Sequence, residues 1–171
     1  MIIEYARVRN NVRPPERANP SDAGLDLFFN PEPEGILLHN KFKQLRFIEW
    51  IKTNPVPINS KINYLTNSRE IALTAVKVGK PTFHSQYDNG IYEYPIQGGK
   101  RRTHPTQKNL KLFEHLIKKH SNEGDIILDC FLGSGTTAIA AYNTERNFVG
   151  CELNKEYYQK SIKWLEDKKN E

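Results

Sequence analysis

The sequence has few cysteines and no long apolar run. Only two cysteines, Cys130 and Cys151, occur among its 171 residues. Two cysteines in a chain of this length do not make a disulfide framework, so we expect the reducing environment of the cytoplasm. No apolar stretch approaches the ~20 residues of a membrane-spanning helix, and the charged N-terminal residues leave no place for the apolar core of a signal peptide. We therefore predict a cytoplasmic protein without a membrane partner.

Zinc-ligand spacings are also missing. His115, His120 and Cys130 do not have the spacing of zinc ligands, so we predict no metal. The net charge of +5 favours a polyanionic partner, although an ordinary soluble surface accounts for it equally well. The length allows one domain with a real core, or one domain with a small appendage.

Near the C-terminus, an apolar stretch, a glycine turn and a run of small residues follow one another. Residues 125–129 (DIILD) predict a buried strand, and residues 130–137 (CFLGSGTT) predict a tight turn into a helix. Glu152 follows Gly133 by 19 residues and ends the next predicted strand. A strand, a glycine loop and a later acid are typical of a site for an adenosine-containing cofactor, since a carboxylate accepts hydrogen bonds from both ribose hydroxyls.

Two other interpretations of this loop stay open. The glycines could serve only to join a strand to a helix, or the loop could belong to a nicotinamide-dependent dehydrogenase. The remainder of the sequence after Gly133 leaves no room for the usual second half of a dinucleotide fold. Asp129 has no function in a dehydrogenase, but it suits a ligand that carries an α-amino group.

The pattern along the chain predicts an α/β protein with a doubly wound sheet. Residues 47–52 and 69–78 are predicted to be paired strands, and Asn89-Gly90 is predicted to be the turn of a hairpin within residues 82–99. The last 60 or so residues alternate helix and strand. The predicted elements are a helix over 110–119 with an apolar face at Leu110, Phe113, Leu116 and Ile117, a strand over 125–128, a helix over 136–143, a strand over 148–151, and a helix capped by Asn154.

Three stretches in order carry a family resemblance. Residues 104–108 (HPTQK), 129–136 (DCFLGSGT) and 150–157 (GCELNKEY) resemble motifs of the permuted, beta-type class of DNA amino-methyltransferases, in which the cofactor motifs come last. Residues 50–59 and 69–77 are similar to strands of that family. Such enzymes methylate adenine N6 or cytosine N4 with S-adenosylmethionine, and the resemblance implies a methyltransferase-type, Rossmann-like fold. Asn109 and Cys130 stand where the family usually has proline.

The resemblance implies both a cofactor site and a partner, double-stranded DNA. The implied cofactor-binding residues are His104, Thr106, Gln107, Lys108, Asp129, Phe131, Gly133, Ser134, Gly135, Thr136 and Glu152. Basic residues beside the aromatics of residues 83–94 would contact DNA, or would form only a solvated loop. These residues are Lys77, Lys80, Lys100, Arg101 and Arg102.

The catalytic Asp-Pro-Pro-Tyr type loop of this family is missing. Residues 54–57 (NPVP) come nearest but lack the aromatic, so no catalytic residue is predicted. Central strands would be missing with the loop, which predicts an incomplete sheet with an open edge. A homodimer, a complementing chain or residues 1–38 could fill the gap. An inert cofactor- or DNA-binding remnant, or half of a split enzyme, is therefore the alternative to an active enzyme.

Residues 1–38 differ from the rest of the chain. Residues 21–27 (SDAGLDL) faintly resemble the start of a trimeric dUTP pyrophosphatase, although a chance match accounts for so short a segment too. We therefore expect an N-terminal β segment over 1–38 and a methyltransferase-like cofactor-binding domain over 39–171. Such a mosaic indicates a phage or mobile-element gene, or a truncated coding sequence.

Overall fold

The computed structural model describes residues 42–55, 66–77, 79–98 and 107–171. The elements in chain order are β1 (Phe42–Lys52), β2 (Arg69–Lys77), β3 (Ile91–Tyr94), α1 (Leu110–His120), β4 (Ile126–Asp129), α2 (Thr136–Asn143), β5 (Asn147–Gly150) and α3 (Lys155–Lys169). The predicted alternation of helix and strand after residue 110 is confirmed. No helix in these described ranges has the length and apolar composition to cross a lipid bilayer. The segment over 1–38 lies outside them, so its predicted structure stays a prediction.

The first sheet has the strand order β2-β1-β3. The predicted antiparallel pairing of β1 with β2 is confirmed, with Trp50 opposite Glu70. β1 begins at Phe42, earlier than predicted, because a shift of register between Lys43 and Arg46 interrupts the alternation that marks a strand in the sequence. Gln44 within this irregularity has a positive φ of 55°.

The predicted hairpin at Asn89-Gly90 is wrong. β3 runs parallel to β1, and the described residues before Asn89 form no partner strand. Side chains of the turn satisfy its backbone instead: the Asp88 carboxylate accepts from the Gly90 N–H at 2.7 Å, and the Asn89 amide oxygen accepts from the Ile91 N–H at 3.0 Å. The Gly90 carbonyl then accepts from the Glu49 N–H at 2.7 Å, which directs the chain onto β1.

A partly buried ion pair joins the end of α1 to this turn. Lys119 pairs with Asp88, and the Lys119 ammonium also donates to the Tyr92 hydroxyl at 3.1 Å. The Tyr92 hydroxyl donates to Asp88 at 3.2 Å. Burial lowers the pKa of Lys119 and, with a smaller effect of Tyr94, raises the pKa of Tyr92. The loop before β3 is therefore held to α1 by charge as well as by packing.

The second sheet consists of β4 and β5 in parallel, with Asp129 opposite Gly150. On one face, Ile127 and Phe148 pack against Ala140 and Ala141 of α2 and against α1. α1 also packs on the first sheet, where Trp50, Tyr92 and Leu112 form a second core cluster. Both clusters include residues of the predicted apolar face of α1. Leu112 is outside that predicted face and is also buried, because α1 packs against both sheets.

The described residues form two separate sheets, as predicted for an incomplete Rossmann-like fold. The prediction that residues 125–128 form a fully buried strand is wrong. Ile126 and Leu128 are 69% and 62% exposed, because the described residues cover only the opposite face of β4. The α/β fold class is confirmed, and within the described residues one face of the second sheet exposes apolar side chains.

Candidate functional site

Two carboxylates lie at the same edge of the second sheet. Asp129 is the last residue of β4, and Glu152 comes just after the end of β5 at Gly150. The carboxyl ends of parallel strands meet at one edge, which is where open α/β sheets bind their ligands. The glycine loop, residues 130–135, leaves β4 between these two side chains and enters α2. The sequence thus folds both predicted acids and the loop into one place.

Glu152 holds the glycine loop directly. Only 5% of this residue is exposed. Its Oε2 accepts from the Gly133 N–H at 2.7 Å, and its Oε1 accepts from the Asn154 N–H at 2.8 Å. Each carboxylate oxygen has two lone pairs, so both can accept a further hydrogen bond. Asn154 caps α3 as predicted, accepting from the Glu156 and Tyr157 N–H groups.

Asp129 is oriented by the residues on both sides of the loop. Its Oδ1 accepts from the Phe131 N–H at 2.9 Å, and its Oδ2 accepts from the Thr137 hydroxyl at 2.6 Å. Sequence reasoning missed Thr137. The signal available was its place as the second threonine of the loop motif, within the first turn of α2, where a hydroxyl can reach back to the strand end.

Positions 133 and 135 of the loop are glycine for different structural reasons. Both have positive φ values, 55° at Gly133 and 90° at Gly135. A Cβ on Gly133 would meet only the Phe131 carbonyl at 3.8 Å, so the space above it is open to a ligand. A Cβ on Gly135 would lie 2.8 Å from the Ser161 Cβ of α3. Gly135 is therefore required for the packing of the loop against α3.

Other loop residues predicted to bind a cofactor are held within the protein. The buried hydroxyls of Ser134 and Thr136 hydrogen-bond to each other at 3.2 Å. The N–H groups of Leu132 and Gly135 donate to the Cys151 and Leu132 carbonyls, so these two amides are used within the protein. Phe131 is 42% exposed. Its ring is thus accessible beside Asp129.

The residues just before α1 connect this helix to the first sheet. Gln107 is buried, and Lys108 pairs with Glu70 of β2 at 2.5 Å. Asn109 caps α1 by accepting from the Leu112 N–H at 3.0 Å, and its amide donates to the Pro95 carbonyl at 2.9 Å. Asparagine thus replaces the usual proline with a working cap. His104 and Thr106 of the same predicted group lie outside the described residues.

The predicted DNA-contacting residues are placed only in part. Lys77 and Lys80 are exposed on either side of Gly79, whereas Lys100, Arg101 and Arg102 lie outside the described residues. The exposed ring of Tyr87 lies on the same loop region as Lys80. Cavities of about 350 and 530 Å³ among the described residues are also lined by this region, and neither includes the glycine loop. Within the described chain, no three or more His, Cys, Asp or Glu side chains gather as metal ligands.

Comparison with known proteins places this site in a family. The profile of the DNA methylase family, the N6/N4 methyltransferases, matches residues 33–163. The chain belongs to this family. It is 38% identical over 140 residues to the type II methyltransferase M2.MboI of Moraxella bovis and 38% identical over 142 residues to M2.DpnII of Streptococcus pneumoniae.

The matches cover most of this chain but only part of its relatives. They include 74% and 73% of this chain, yet 51% and 52% of M2.MboI and M2.DpnII, so the chain spans about half the length of these curated relatives. The crystal structure of the M1.HpyAVI–SAM complex superposes with a TM-score of 0.64 at 41% identity, covering 77% of this chain and 66% of that one. The predicted fold and family are confirmed.

Proposed function

We propose that this chain is the cofactor-binding part of an S-adenosylmethionine-dependent DNA amino-methyltransferase, acting on adenine N6 or cytosine N4 in double-stranded DNA. The observation that carries the proposal is that two carboxylates lie at one edge of the sheet, where Asp129 ends β4 and Glu152 accepts from the N–H of Gly133, a glycine with open space beside it. Family membership and the relative that binds S-adenosylmethionine support the same assignment.

The residues present fit this cofactor chemically. Asp129 would hold its α-ammonium group and Glu152 its ribose hydroxyls, while Gly133 leaves room for it to approach the backbone. The exposed ring of Phe131 would give the bound molecule an apolar contact, and Gln107 would lie near its methionine end. The bound cofactor supplies an electrophilic methyl group on sulfur. The chain itself contributes orientation, because backbone and hydroxyl hydrogen bonds fix both carboxylates before a ligand arrives.

No described residue is assigned to the amino group of the target base. Residues 54–57 were the nearest candidate in the sequence. The Asn54 amide oxygen accepts from the Ile96 N–H at 2.7 Å, so it holds the loop after β3 in place. We propose that the group contacting the target amine comes from polypeptide that the described residues do not include.

The proposal also includes the two predicted segments of the chain, the DNA contacts and a larger assembly. Residues 39–171 would form the methyltransferase-like domain, and residues 1–38 would form a separate segment. Lys77, Lys80 and the basic residues 100–102 would contact DNA phosphates, with Tyr87 available for stacking on a base. Either a homodimer or a complementing chain would complete the assembly.

Calorimetric titration of the full chain with S-adenosylmethionine tests the cofactor assignment. We expect binding, and we expect Asp129→Asn and Glu152→Gln each to weaken it about ten-fold to a hundred-fold, since a hydrogen bond to a charged group contributes roughly 1.5–3 kcal/mol. Glu166→Gln, an exposed carboxylate on α3, is the matched control and should bind normally. Thermal melting of each variant separates lost affinity from lost folding. Absence of binding at millimolar cofactor would reject the proposal.

The second candidate is an inert remnant or half of a split enzyme, and the exposed Ile126 and Leu128 favour it. A methyl-transfer assay on mixed-sequence duplex DNA separates the two. Labelled DNA from the purified chain alone would establish an active enzyme. Cofactor binding without transfer would identify a chain that needs further polypeptide.

A further inference from the structure

The second sheet is covered on one side only. Ile127 and Phe148 point into the cluster formed with α1 and α2, whereas the alternate residues Ile126, Leu128 and Val149 are 69%, 62% and 46% exposed. We call these three exposed side chains the bare face. Three adjacent aliphatic side chains on two paired strands form a continuous apolar surface, unlike scattered single exposures.

The edge of the same sheet is also free. β4 pairs with β5 along one side, and no described strand pairs with its other side. Parallel sheets are normally covered by helices on both faces, and their strands are apolar on both faces, as residues 126–128 are. Among the described residues, the bare face and the free edge of β4 therefore mark one open position in the sheet.

The geometry selects one kind of occupant. A strand added in parallel needs a crossover connection, usually a helix, and that helix lies on a face of the sheet. Such a unit fills the edge of β4 and covers the bare face together. A second copy paired edge to edge through β4 would leave the bare face exposed, and a copy stacked on the bare face would leave the edge unpaired.

The length of the relatives agrees with this occupant. M2.MboI and M2.DpnII are about twice as long as the stretch that this chain matches. Their remaining polypeptide is enough for several strands and crossover helices, since a whole strand–helix–strand unit takes roughly 30 residues.

We propose that the bare face and the free edge of β4 are a docking surface for strand-and-crossover-helix polypeptide equivalent to the part of a related DNA methylase that this chain does not match. This inference rests on the proposed function. The added strand would end beside Asp129, at the edge where the site lies, and would bring a base-contacting loop next to it. The site would then be incomplete without this polypeptide, which accounts for the missing contact to the target amine.

The test joins the unmatched part of M2.MboI to the full chain through a protease-cleavable linker. After cleavage we expect the two pieces to elute together in 1:1 ratio, with slowed amide hydrogen exchange over residues 126–129. Ile126→Lys and Leu128→Lys should weaken the association more than ten-fold. Tyr142→Lys is the matched control, because Tyr142 is 43% exposed on α2, the helix that covers the opposite face.

Several outcomes overturn the proposal. They are an insoluble fusion, pieces that separate after cleavage, equal weakening by the Tyr142→Lys control, and residues 126–129 already protected in the monomeric chain alone or in a homodimer. Melting of the lysine variants should match that of the unsubstituted chain, because both sites are exposed. Titration with S-adenosylmethionine distinguishes the two proposals. If the pieces form a complex that does not bind the cofactor, the docking surface is supported and the proposed function is rejected. If the chain binds the cofactor but forms no complex, the proposed function is supported and the docking surface is rejected.

Discussion

Gly135 connects the glycine loop to the helix behind it. Its φ of 90° favours glycine over any other residue. An added Cβ would also lie only 2.8 Å from the Ser161 Cβ, so space excludes a side chain as well. The loop that carries the site is thus fixed from below by α3, the helix that follows Glu152. Geometry at the strand ends and packing of the last helix depend on the same residue.

We predict that Gly135→Ala lowers the free energy of unfolding by about 2–5 kcal/mol, the sum of left-handed strain and overpacking. Gly124→Ala is the control, since Gly124 has a φ of 82° but nothing within 4 Å of an added Cβ. It should cost only the strain, about 1–2 kcal/mol. Urea unfolding followed by circular dichroism measures both, and equal losses would show that the contact with Ser161 does not matter.

Glu70 joins the first sheet to the start of α1. It pairs with Lys52 of β1 at 3.1 Å and with Lys108 at 2.5 Å. Burial alone would raise the pKa of Glu70, but the hydrogen bonds and charges of Lys108 and Lys52 outweigh it and lower that pKa below its usual 4.5. This carboxylate therefore binds its proton less readily in the folded chain than in the unfolded one.

The sign of the pH dependence follows from this lowering. The stabilisation is fully present above pH 4.5 and is lost as the pH falls through the folded pKa of Glu70. We predict that Glu70→Gln lowers the melting temperature at pH 7 and that the difference from the unsubstituted chain shrinks below pH 4.5. Glu166→Gln, which is exposed, should show a small difference at every pH. A Glu70→Gln difference that is constant with pH would contradict the assignment.

The elements after residue 110 could be predicted from the sequence because their signals are local. The apolar period of α1, the cap at Asn154 and the glycine turn after Asp129 each lie within or beside the element they specify. The hairpin prediction failed because Asn89-Gly90 is equally compatible with side-chain-to-backbone turns, and the choice was made by β1, far earlier in the chain.

The site was predictable in part for the same reason. Asp129, Gly133 and Glu152 follow from the order of strand, loop and strand. The hydrogen bond of Thr137 to Asp129 was missed although the place of Thr137 in the loop motif was a local signal for it. The contact of Gly135 with Ser161 depends on how α3 approaches the loop, which no local pattern specifies. Lys108 was predicted to bind the cofactor because of its place in a family motif. In the structure it forms an ion pair with Glu70 of the first sheet, whereas the candidate site lies at the second sheet.

Taken across both sheets, the described chain exposes apolar side chains on the first sheet as well. Phe47, Ile71 and Leu73 are 73%, 65% and 57% exposed and share one face of the β1–β2 pair. With the bare face of the second sheet, both sheets expose adjacent apolar side chains. Contiguous apolar surface of this kind marks sites of interaction with other polypeptide.

We predict that Phe47→Lys and Leu73→Lys reduce light scattering by concentrated solutions of the chain, because they interrupt this apolar surface. Their free energies of unfolding should change by no more than about 0.5 kcal/mol, as is usual for exposed sites. Leu112→Lys, at a position 3% exposed, is the contrasting variant and should abolish cooperative unfolding. Strong destabilisation by Phe47→Lys would mean that this face is covered in the chain itself.

The hydrogen bond from the Gly133 N–H to Glu152 has a kinetic consequence. Glu152, which would bind a ribose, already holds the glycine loop through the Gly133 N–H, so this part of the cofactor site is in place before a ligand arrives. A visiting molecule needs no slow rearrangement of this loop to enter. In stopped-flow mixing, the observed rate should therefore rise linearly with concentration and show a single exponential, the signature of one-step capture.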